Sequence, residues 1–389
     1  MYISKLELRD FRNYDHLSLD LSPGVNVIYG KNGYGKTNLL EAMFLCCIGK
    51  SFKGAKDSEI IRYNQNEYYV KTRIEENTCG TISVRYEKNK LKYVEIDGIY
   101  IEKLRFLLGR IIGIMFSPES IRIVSEGPSQ RRKFLDIALC QLSTDYYYSL
   151  LMYNRFCEEK NRLLESKAAA DEIEKTVINE NLAKYGAKIA YERMRFINEM
   201  NGAAAGKYGF ISSEEEKLAV EYVPDIPSFV SAANALSAGE KNVPRGTISE
   251  TVAEMTEEKI RELFLEDLSN KKLQQREEDY RKNLIGVQRD DFDILFNGIS
   301  MRSFGSQGQK RSAAIALTFA VLEIMKNRSG RVPILFFDDV LSELDKGRKN
   351  KIAILSKEVQ TIFTCTERNM LPAGAGNKSA NFINVEKLR

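Results

Sequence analysis

The stretch GKNGYGKT, from Gly30 to Thr37, decides the fold of this chain. It matches the pattern GxxxxGK[ST], follows the β-rich run VNVIY and precedes TNLLEAMFLCCI, which has the apolar character of a buried helix. Glycines let backbone N–H groups turn toward a phosphate chain, and a helix N-terminus adds a positive dipole. A strand, a full match and a helix in this order predict a P-loop, not a glycine-rich turn beside a surface lysine.

The P-loop assigns a role to each of its polar side chains. Lys36 is expected to reach the β- and γ-phosphates of ATP, and the Thr37 hydroxyl is expected to bind Mg²⁺. The residues predicted to surround the nucleotide are Gly30, Lys31, Asn32, Gly33, Tyr34, Gly35, Lys36, Thr37 and Asn38. ATP and Mg²⁺ are therefore the predicted cofactors.

The second motif is PILFFDDVLSELD, from Pro333 to Asp345. An apolar strand that ends in two carboxylates is typical of a Walker B motif, in which Asp338 holds Mg²⁺ and Asp339 is the general base. The alternative is a buried strand that meets a turn capped by aspartates. Because 302 positions separate Lys36 from Asp338, a long insertion is expected between two halves of one ATP site.

The third motif is GSQGQ, from Gly305 to Gln309, at the mouth of an alanine-rich helical run. It resembles the LSGGQ signature of ABC-type ATPases and stands at the matching place before the Walker B strand. Ser306, Gly308 and Gln309 are then expected to contact a nucleotide, and the resemblance implies that this nucleotide belongs to a second subunit. The simpler alternative is a glycine-containing N-cap of a core helix.

The pattern along the chain predicts an α/β fold with an inserted, mainly helical lobe. The expected parts are an N-terminal head segment (1–115), a helical lobe (116–285) and a C-terminal head segment (286–389). Strand-like pieces at 67–74, 81–86 and 92–101 predict an antiparallel sheet beside the first helix. The other predicted segments are helices at 129–166, 172–200 and 250–282, a glycine- and alanine-rich section at 202–246, and a mobile loop at 230–250.

The composition excludes several classes of protein. The chain has 389 residues, 43% of them apolar, and a net charge of +4, and it contains no apolar run long enough for a membrane span. His16 is the only histidine, which argues against histidine-based metal sites and Ser-His or Cys-His catalysis. The six cysteines form no CxxC pair and are expected to be reduced core thiols. A cytoplasmic protein is expected.

The motifs together resemble the SMC-like branch of ABC ATPases and, more closely, the RecF family of bacterial recombination-repair ATPases. The family usually has a Gly-Pro-His-Arg-Asp-Asp run, whereas Val287 and Gln288 stand at its middle positions here. The motifs that carry the resemblance are LRDFRNY (8–14), GKNGYGKTNLLEA (30–42), FSPES (116–120), RRKFLD (131–136), RDD (289–291), NG (297–298), GSQGQKR (305–311) and FFDDVLSELD (336–345).

The resemblance implies an ATP-dependent homodimer that binds gapped duplex DNA or single-strand/double-strand junctions. Slow, DNA-stimulated hydrolysis would drive release, and the partners RecO and RecR would help to load RecA during repair, replication and the SOS response. A nucleoid-associated location follows from DNA binding. The resemblance also places Arg12 and Asn13 near the nucleotide and Asp345 in a dimer-contact loop.

Two basic clusters are the candidate DNA contacts, and no base-reading motif accompanies them. They contain Arg122, Arg131, Arg132 and Lys133 in one case and Lys50, Lys53 and Lys56 in the other. A transporter ATPase subunit is the alternative function, but its signature should follow the P-loop more closely. A chromosome-structural SMC or zinc-hook protein would need a long coiled coil or a CxxC hook. A scaffold with a vestigial site would not need Lys36, Asp338 and Asp339.

Overall fold

A computed structural model describes residues 1–76, 79–166, 172–212, 217–236, 255–370 and 380–388. The chain forms two compact units, and each is described by itself. The first unit contains Met1–Ile121, Lys207–Glu214 and Ala314–Arg389, and the second contains Arg122–Gly206 and Glu215–Ala313. The boundaries at 116 and 286 stay a prediction.

The first unit contains a six-stranded antiparallel sheet, as the alternating sequence predicts. Tyr68, Val70 and Thr72 are buried on one face of a central strand, because successive side chains of a strand point to opposite faces. Asp97 and Gly98 both have positive φ, as a tight hairpin turn requires. In spatial order the strands are β2 (Tyr14–Asp20), β1 (Tyr2–Phe11), β4 (Glu67–Glu75), β5 (Cys79–Glu87), β6 (Tyr93–Ile96) and β7 (Ile99–Tyr100).

A five-stranded parallel sheet in the same unit positions the candidate site. Its strands read as continuous apolar runs because both faces are covered, and Ile334–Phe337 is buried throughout. In spatial order they are β14 (Asn381–Asn384), β3 (Val25–Tyr29), β13 (Thr361–Cys365), β12 (Ile334–Phe337) and β8 (Gly113–Phe116). Since all are parallel, the residues that follow β3, β13 and β12 meet at one edge.

The helices follow the apolar periodicity in most places. Helix α1 packs on the parallel sheet, where the rings of Phe44 and Phe336 meet edge to face at 5.8 Å. The helices are α1 (Lys36–Ile48), α2 (Asp57–Ile60), α3 (Arg122–Ser125), α4 (Pro128–Leu142), α5 (Thr144–Glu165), α6 (Glu172–Ser212), α7 (Pro227–Leu236), α8 (Glu257–Leu268), α9 (Lys271–Tyr280), α10 (Met301–Phe304), α11 (Gln307–Ser329) and α12 (Lys346–Leu355).

Two helix predictions are wrong in their bounds. The helix expected over 129–166 is interrupted at Ser143, whose extended backbone and side chain cap α5 by accepting a hydrogen bond from the Tyr146 amide. Helix α6 runs to Ser212 instead of ending near 200, because Ala204 and Tyr208 bury one face of its glycine-containing last turns.

The glycine- and alanine-rich section from 202 to 246 is largely regular where the structure describes it. It contains the end of α6, the strand β9 (Leu218–Val223) and the helix α7. Alternating burial of Leu218, Val220 and Tyr222 marks the strand, which the sequence analysis missed. Of the predicted mobile loop at 230–250, residues 230–236 are helical and the rest lie outside the described residues.

The second unit is organised by a three-stranded antiparallel sheet, in the order β11 (Ile299–Ser300), β10 (Asp291–Phe296) and β9, and by a buried charge network. The fully buried Arg193 lies 2.9 Å from an Asp136 carboxylate oxygen and 3.1 Å from one of Asp290. Of the two residues that depart from the family's usual run, Val287 contacts this network, since its carbonyl accepts from Arg193 at 2.7 Å. The Gln288 side chain accepts from the Tyr153 hydroxyl instead. Val287 and Gln288, which stand where the family usually has proline and histidine, therefore both form hydrogen bonds within the second unit.

All six cysteines are free, and four are buried, but Cys79 is exposed and so the prediction of a core thiol is wrong for it.

Among the described helices, none is both long and apolar enough to cross a membrane.

Candidate nucleotide-binding site

The loop after β3 needs its glycines. Gly30, Gly33 and Gly35 have φ values of 146°, 84° and 92°, a region that side chains disfavour. A Cβ atom on Gly35 would lie 2.5 Å from the Asn13 side chain, so space and conformation both require glycine. The loop therefore has the tight backbone that the P-loop prediction needs, and it leads directly into α1.

Lys36 is buried and lies within the curve of this loop. Its ammonium donates to the carbonyl oxygens of Gly30 at 2.7 Å and Lys31 at 3.0 Å, and to Asn32 Oδ1 at 3.3 Å. All three acceptors belong to the loop itself. The cation is thus held among the backbone groups to which the sequence assigns the phosphates.

The structure brings the two distant motifs together. Thr37, the first residue after Lys36, donates from its hydroxyl to Asp338 Oδ1 at 2.8 Å. Thr364 at the end of β13 donates to the same oxygen at 2.7 Å. The parallel order β3, β13, β12 produces this meeting, because β13 lies between the strands that carry the P-loop and Asp338.

Asp339 adopts a left-handed backbone with φ of 48°, which a non-glycine residue rarely takes. Its amide donates to Thr364 Oγ1 at 2.9 Å. Its Oδ1 atom is buried and has no hydrogen-bond partner among the described residues. A buried carboxylate oxygen without a donor is costly unless a cation, water or substrate group reaches it.

These oxygens suit magnesium. Mg²⁺ is usually bound through one or two carboxylates together with substrate phosphates and waters. Thr37 and Asp338 supply a hydroxyl and a carboxylate 2.8 Å apart, and the unpartnered Oδ1 of Asp339 belongs to the adjacent residue. The donor set of the chain therefore fits the predicted ion.

Burial raises the pKa of Asp338, and this effect outweighs the hydrogen bonds from Thr364 and Thr37 and the charge of Lys53, which lower it. The nearby charge of Asp339 raises it further. A cation beside these carboxylates would offset their desolvation and their mutual repulsion.

Arg12 and Asn13 lie beside the P-loop helix in different ways. The Arg12 guanidinium donates to both carboxylate oxygens of the buried Glu41, at 2.9 Å and 2.7 Å, and to the Glu59 carbonyl at 2.8 Å. Asn13 accepts from the Asn38 side chain at 2.8 Å. Arg12 is therefore tied to the body of α1, whereas Asn13 borders the loop, and a nucleotide contact stays a prediction for both.

Lys53 lies at this site, although the sequence analysis considered it only as a DNA contact. Its ammonium is 3.3 Å from Asn38 Oδ1 and 3.6 Å from a carboxylate oxygen of Glu41. Burial alone would raise the pKa of Glu41, but hydrogen bonds from Arg12 and Ser51 and the charges of Lys53 and Arg12 hold it below its ordinary value. The first turns of α1 thus carry an ionised, buried carboxylate.

The signature-like segment belongs to the second unit. Ser306 and Gln309 cap each other: the Ser306 amide donates to Gln309 Oε1 at 2.9 Å, and the Gln309 amide donates to Ser306 Oγ at 3.2 Å. The Gly308 carbonyl accepts from Ser312 at 3.0 Å. Ser306 is exposed, and Phe304 just before it is 80% exposed. The segment is a formed helix N-terminus.

The two basic clusters differ in what they can offer to DNA. Arg131 is buried and forms two hydrogen bonds with Asp291, at 2.6 Å and 2.8 Å, so the prediction of a phosphate contact is wrong for it in this structure. Arg132 donates to the Asp290 carbonyl at 2.7 Å, while Lys133 is exposed. Two of the four members, Arg131 and Arg132, therefore bind within the second unit, while Arg122 and Lys133 are exposed.

In the other cluster, Lys50 and Lys56 are exposed.

Asp345 caps α12, accepting from the Arg348 amide at 2.9 Å and from its guanidinium at 3.0 Å. Its assignment to a dimer contact stays a prediction.

The sequence analysis missed Thr364 altogether. The strand TIFTC carries no motif, and the threonine meets Asp338 only through the order of the sheet. The one available signal is a polar residue at the end of an otherwise buried apolar strand.

Comparison with known proteins agrees with this geometry. A family model described as an AAA domain matches residues 5–362. The DNA replication and repair protein RecF of Clostridium tetani (strain Massachusetts / E88) is 37% identical over 369 residues, which cover 94% of this chain and 93% of that protein.

Solved structures give the same result. The structure described as the recombination mediator protein RecF-ATPrS in the RecFOR pathway matches with a TM-score of 0.83 and 33% identity, over 95% of this chain and 94% of that one. An Smc head domain from Pyrococcus furiosus matches at a TM-score of 0.50 and 17% identity, over 95% and 90% of the two chains, and shows the fold alone. With a P-loop, a Walker B pair and an ABC-type α/β head in place, this chain is an ATPase that belongs to the RecF family.

Proposed function

We propose that this chain acts in recombinational DNA repair as an ATP-dependent homodimer that closes on DNA and is released by hydrolysis. The observation that carries the proposal is the 2.8 Å hydrogen bond between Thr37 and Asp338, which unites the P-loop with the Walker B strand. The RecF relatives, which match over almost the whole chain, carry the DNA-repair part.

The residues divide the chemistry among themselves. Lys36 binds the β- and γ-phosphates, supported by the N–H groups of the loop that runs from Gly30 to Asn38. Thr37 and Asp338 hold Mg²⁺, which supplies charge neutralisation of the phosphates when bound. Asp339 orients and deprotonates the attacking water, and the unpartnered buried Oδ1 supports this role.

Lys53 adds a positive charge close to the same carboxylates. Its charge lowers the pKa of Asp338, and its ammonium contacts Asn38. It helps to keep Asp338 ionised for the metal. Its role therefore concerns the nucleotide site, not DNA binding.

The signature-like segment serves the nucleotide of a partner copy. Ser306 and the amides near the start of α11 form an exposed helix N-terminus, which favours an anion. A γ-phosphate in a second subunit would be bound there, so that two ATP molecules lie between two heads. ATP binding and dimerisation are then coupled.

DNA and protein partners follow from the family. A solved relative is described as a recombination mediator in the RecFOR pathway, which supports RecO and RecR as partners. Loading of RecA is proposed as the outcome on the family resemblance. Gapped duplex and junction DNA are the proposed substrates, in a cytoplasmic, nucleoid-associated location. Contacts to the phosphates would make binding sensitive to salt. The transporter alternative has no support among these relatives.

The test is ATP hydrolysis and sedimentation velocity, each with and without gapped duplex DNA. We expect dimers only in ATP and a higher turnover with DNA. A monomer at saturating ATP, with turnover indifferent to DNA, would contradict the proposed function while leaving the ATPase assignment intact.

A further inference from the structure

We propose that Thr364 is a positioning residue that orients both Walker B carboxylates through its one hydroxyl group. The inference rests on the proposed function of Asp338 and Asp339, and it adds a residue on a third strand, outside every motif of the sequence. Thr364 would act through the two aspartates and would not touch ATP.

The hydroxyl of Thr364 joins two consecutive backbone positions. It lies 2.7 Å from Asp338 Oδ1 and 2.9 Å from the Asp339 amide nitrogen. An amide can only donate, so the oxygen of Thr364 accepts there and its single proton goes to Asp338. The direction of both hydrogen bonds is therefore fixed.

The consequence for Asp338 is a defined orientation. Oδ1 of Asp338 accepts from Thr364 on one side and from Thr37 on the other. Two donors from different elements, the end of β13 and the start of α1, hold one carboxylate oxygen in place. The carboxylate is then oriented for the ion that Thr37 also binds in the proposed function.

The consequence for Asp339 concerns its backbone. A left-handed conformation of a non-glycine residue is strained and persists only when its surroundings fix it. With φ at 48°, the Asp339 amide is fixed by Thr364, and this conformation determines where the side chain begins. The buried Oδ1 without a partner is thereby held in one place.

Ordinary packing does not explain the hydroxyl. Thr364 is fully buried, and valine would fill the same volume in a strand with equal ease. Thr361, on the same strand, is also fully buried, but its hydroxyl lies 3.4 Å from the carbonyl oxygens of Ser356 and Val359. Thr361 is therefore a matched control: the same residue type, strand and burial, with backbone partners only.

The experiment compares Thr364→Val, Thr364→Ser and Thr361→Val in the full chain. One readout is kcat and KM for ATP hydrolysis; the other is the affinity for a fluorescent ATP analogue in Mg²⁺ and in EDTA. Loss of a group that orients metal ligands typically costs about 10–100-fold in activity or metal affinity.

We expect Thr364→Val to lose about 10–100-fold in kcat and most of the Mg²⁺-dependent gain in nucleotide affinity, with affinity in EDTA within about twofold. Thr364→Ser, which keeps the hydroxyl, should restore both, and Thr361→Val should resemble the wild type. Should Thr364→Val lower the melting temperature more than Thr361→Val does, the affinity in EDTA separates the two causes, because a disrupted site would lose it as well.

Two results would overturn the inference: wild-type kcat and Mg²⁺ dependence in Thr364→Val, or equal losses in Thr361→Val. Failure of the proposed function would look different. In that case Asp339→Asn would hydrolyse ATP at the wild-type rate, whatever Thr364→Val does.

Discussion

Two regions with phosphate-binding character differ in how much of their surroundings this chain supplies. Around Thr37 and Asp338, side chains from the start of α1 and from the ends of β12 and β13 meet within hydrogen-bond distance, and Lys36 is buried among loop carbonyls. Around Ser306, the hydrogen bonds are local, between a serine and a glutamine three residues apart, and the segment is exposed.

This difference indicates which of the two regions can bind a nucleotide within a single copy of the chain. The first has a cation, a hydroxyl and carboxylates arranged for ATP and Mg²⁺, so one copy should bind nucleotide without help. The second offers a capped helix N-terminus whose serine–glutamine hydrogen bonds are local. It should matter only when a second copy brings a phosphate to it.

The largest expected effect comes from Asp339→Asn. Losing the general base should lower turnover by about 10²–10⁴-fold, while ATP binding stays intact because Lys36 and Thr37 are unchanged. Measured by phosphate release and by sedimentation in ATP, the variant should remain dimeric for longer than the wild type. Normal turnover would remove the catalytic role from this region.

Lys36→Ala should weaken ATP binding by about 10²–10³-fold, as loss of a buried donor to a charged group does. Titration with a fluorescent ATP analogue measures the change, and Lys56→Ala, an exposed lysine of the same unit, is the control. Because the proposed dimer needs ATP, this variant should also stay monomeric. Unchanged affinity would mean that the loop carbonyls, not phosphates, are the partners of this lysine.

Glu41→Gln should destabilise the chain by about 3 kcal/mol at neutral pH, because it leaves the Arg12 charge without its carboxylate. The pKa of Glu41 lies below its ordinary value of 4.5 in the folded state, so its stabilising effect is present above that value and is lost as the pH falls through the folded pKa. Urea unfolding of both proteins should show a gap that narrows in acid. A gap independent of pH would contradict an ionised Glu41.

Ser306→Arg should have the smallest effect on ATP binding by the monomer and a clear effect on dimerisation. ATP affinity of the monomer should change by less than about twofold, because Ser306 is not part of the P-loop, whereas the arginine removes the hydroxyl cap at a cost of about 0.5–2 kcal/mol and its bulk blocks the approach of a second copy. Sedimentation in ATP gives the readout, with Ser303→Arg, another exposed serine, as control. Normal dimers in Ser306→Arg would end the idea of a signature contact.

Much of the fold was predictable because its signals are local. A few residues are enough to predict the P-loop from its glycines, the Walker B strand from its apolar run and β4 from its alternation. The reach of α6 past Gly202 was not predictable, since burial of Ala204 and Tyr208 decides it. The same holds for the break at Ser143.

The site was predictable only where a motif names the residue. Lys36, Thr37 and Asp338 follow from spacing and residue type, whereas the role of Ser306 rests on a resemblance and stays a prediction. Thr364 is found only through the sheet order, which joins residues far apart in the chain. Arg131 was wrongly predicted to contact DNA. A basic run in the sequence does not reveal that Arg131 is buried and hydrogen-bonded to Asp291.

Mixing two inactive variants tests the central claim, that one ATP site is built from two copies. Lys36→Ala lacks a working P-loop, and Ser306→Arg lacks a working signature, so each alone should be almost inactive. In an equal mixture only dimers that pair the two variants hold an intact site, one in each, which predicts turnover clearly above the sum of the parts and at most about half of wild type. A mixture no more active than its parts would contradict a site shared between two copies.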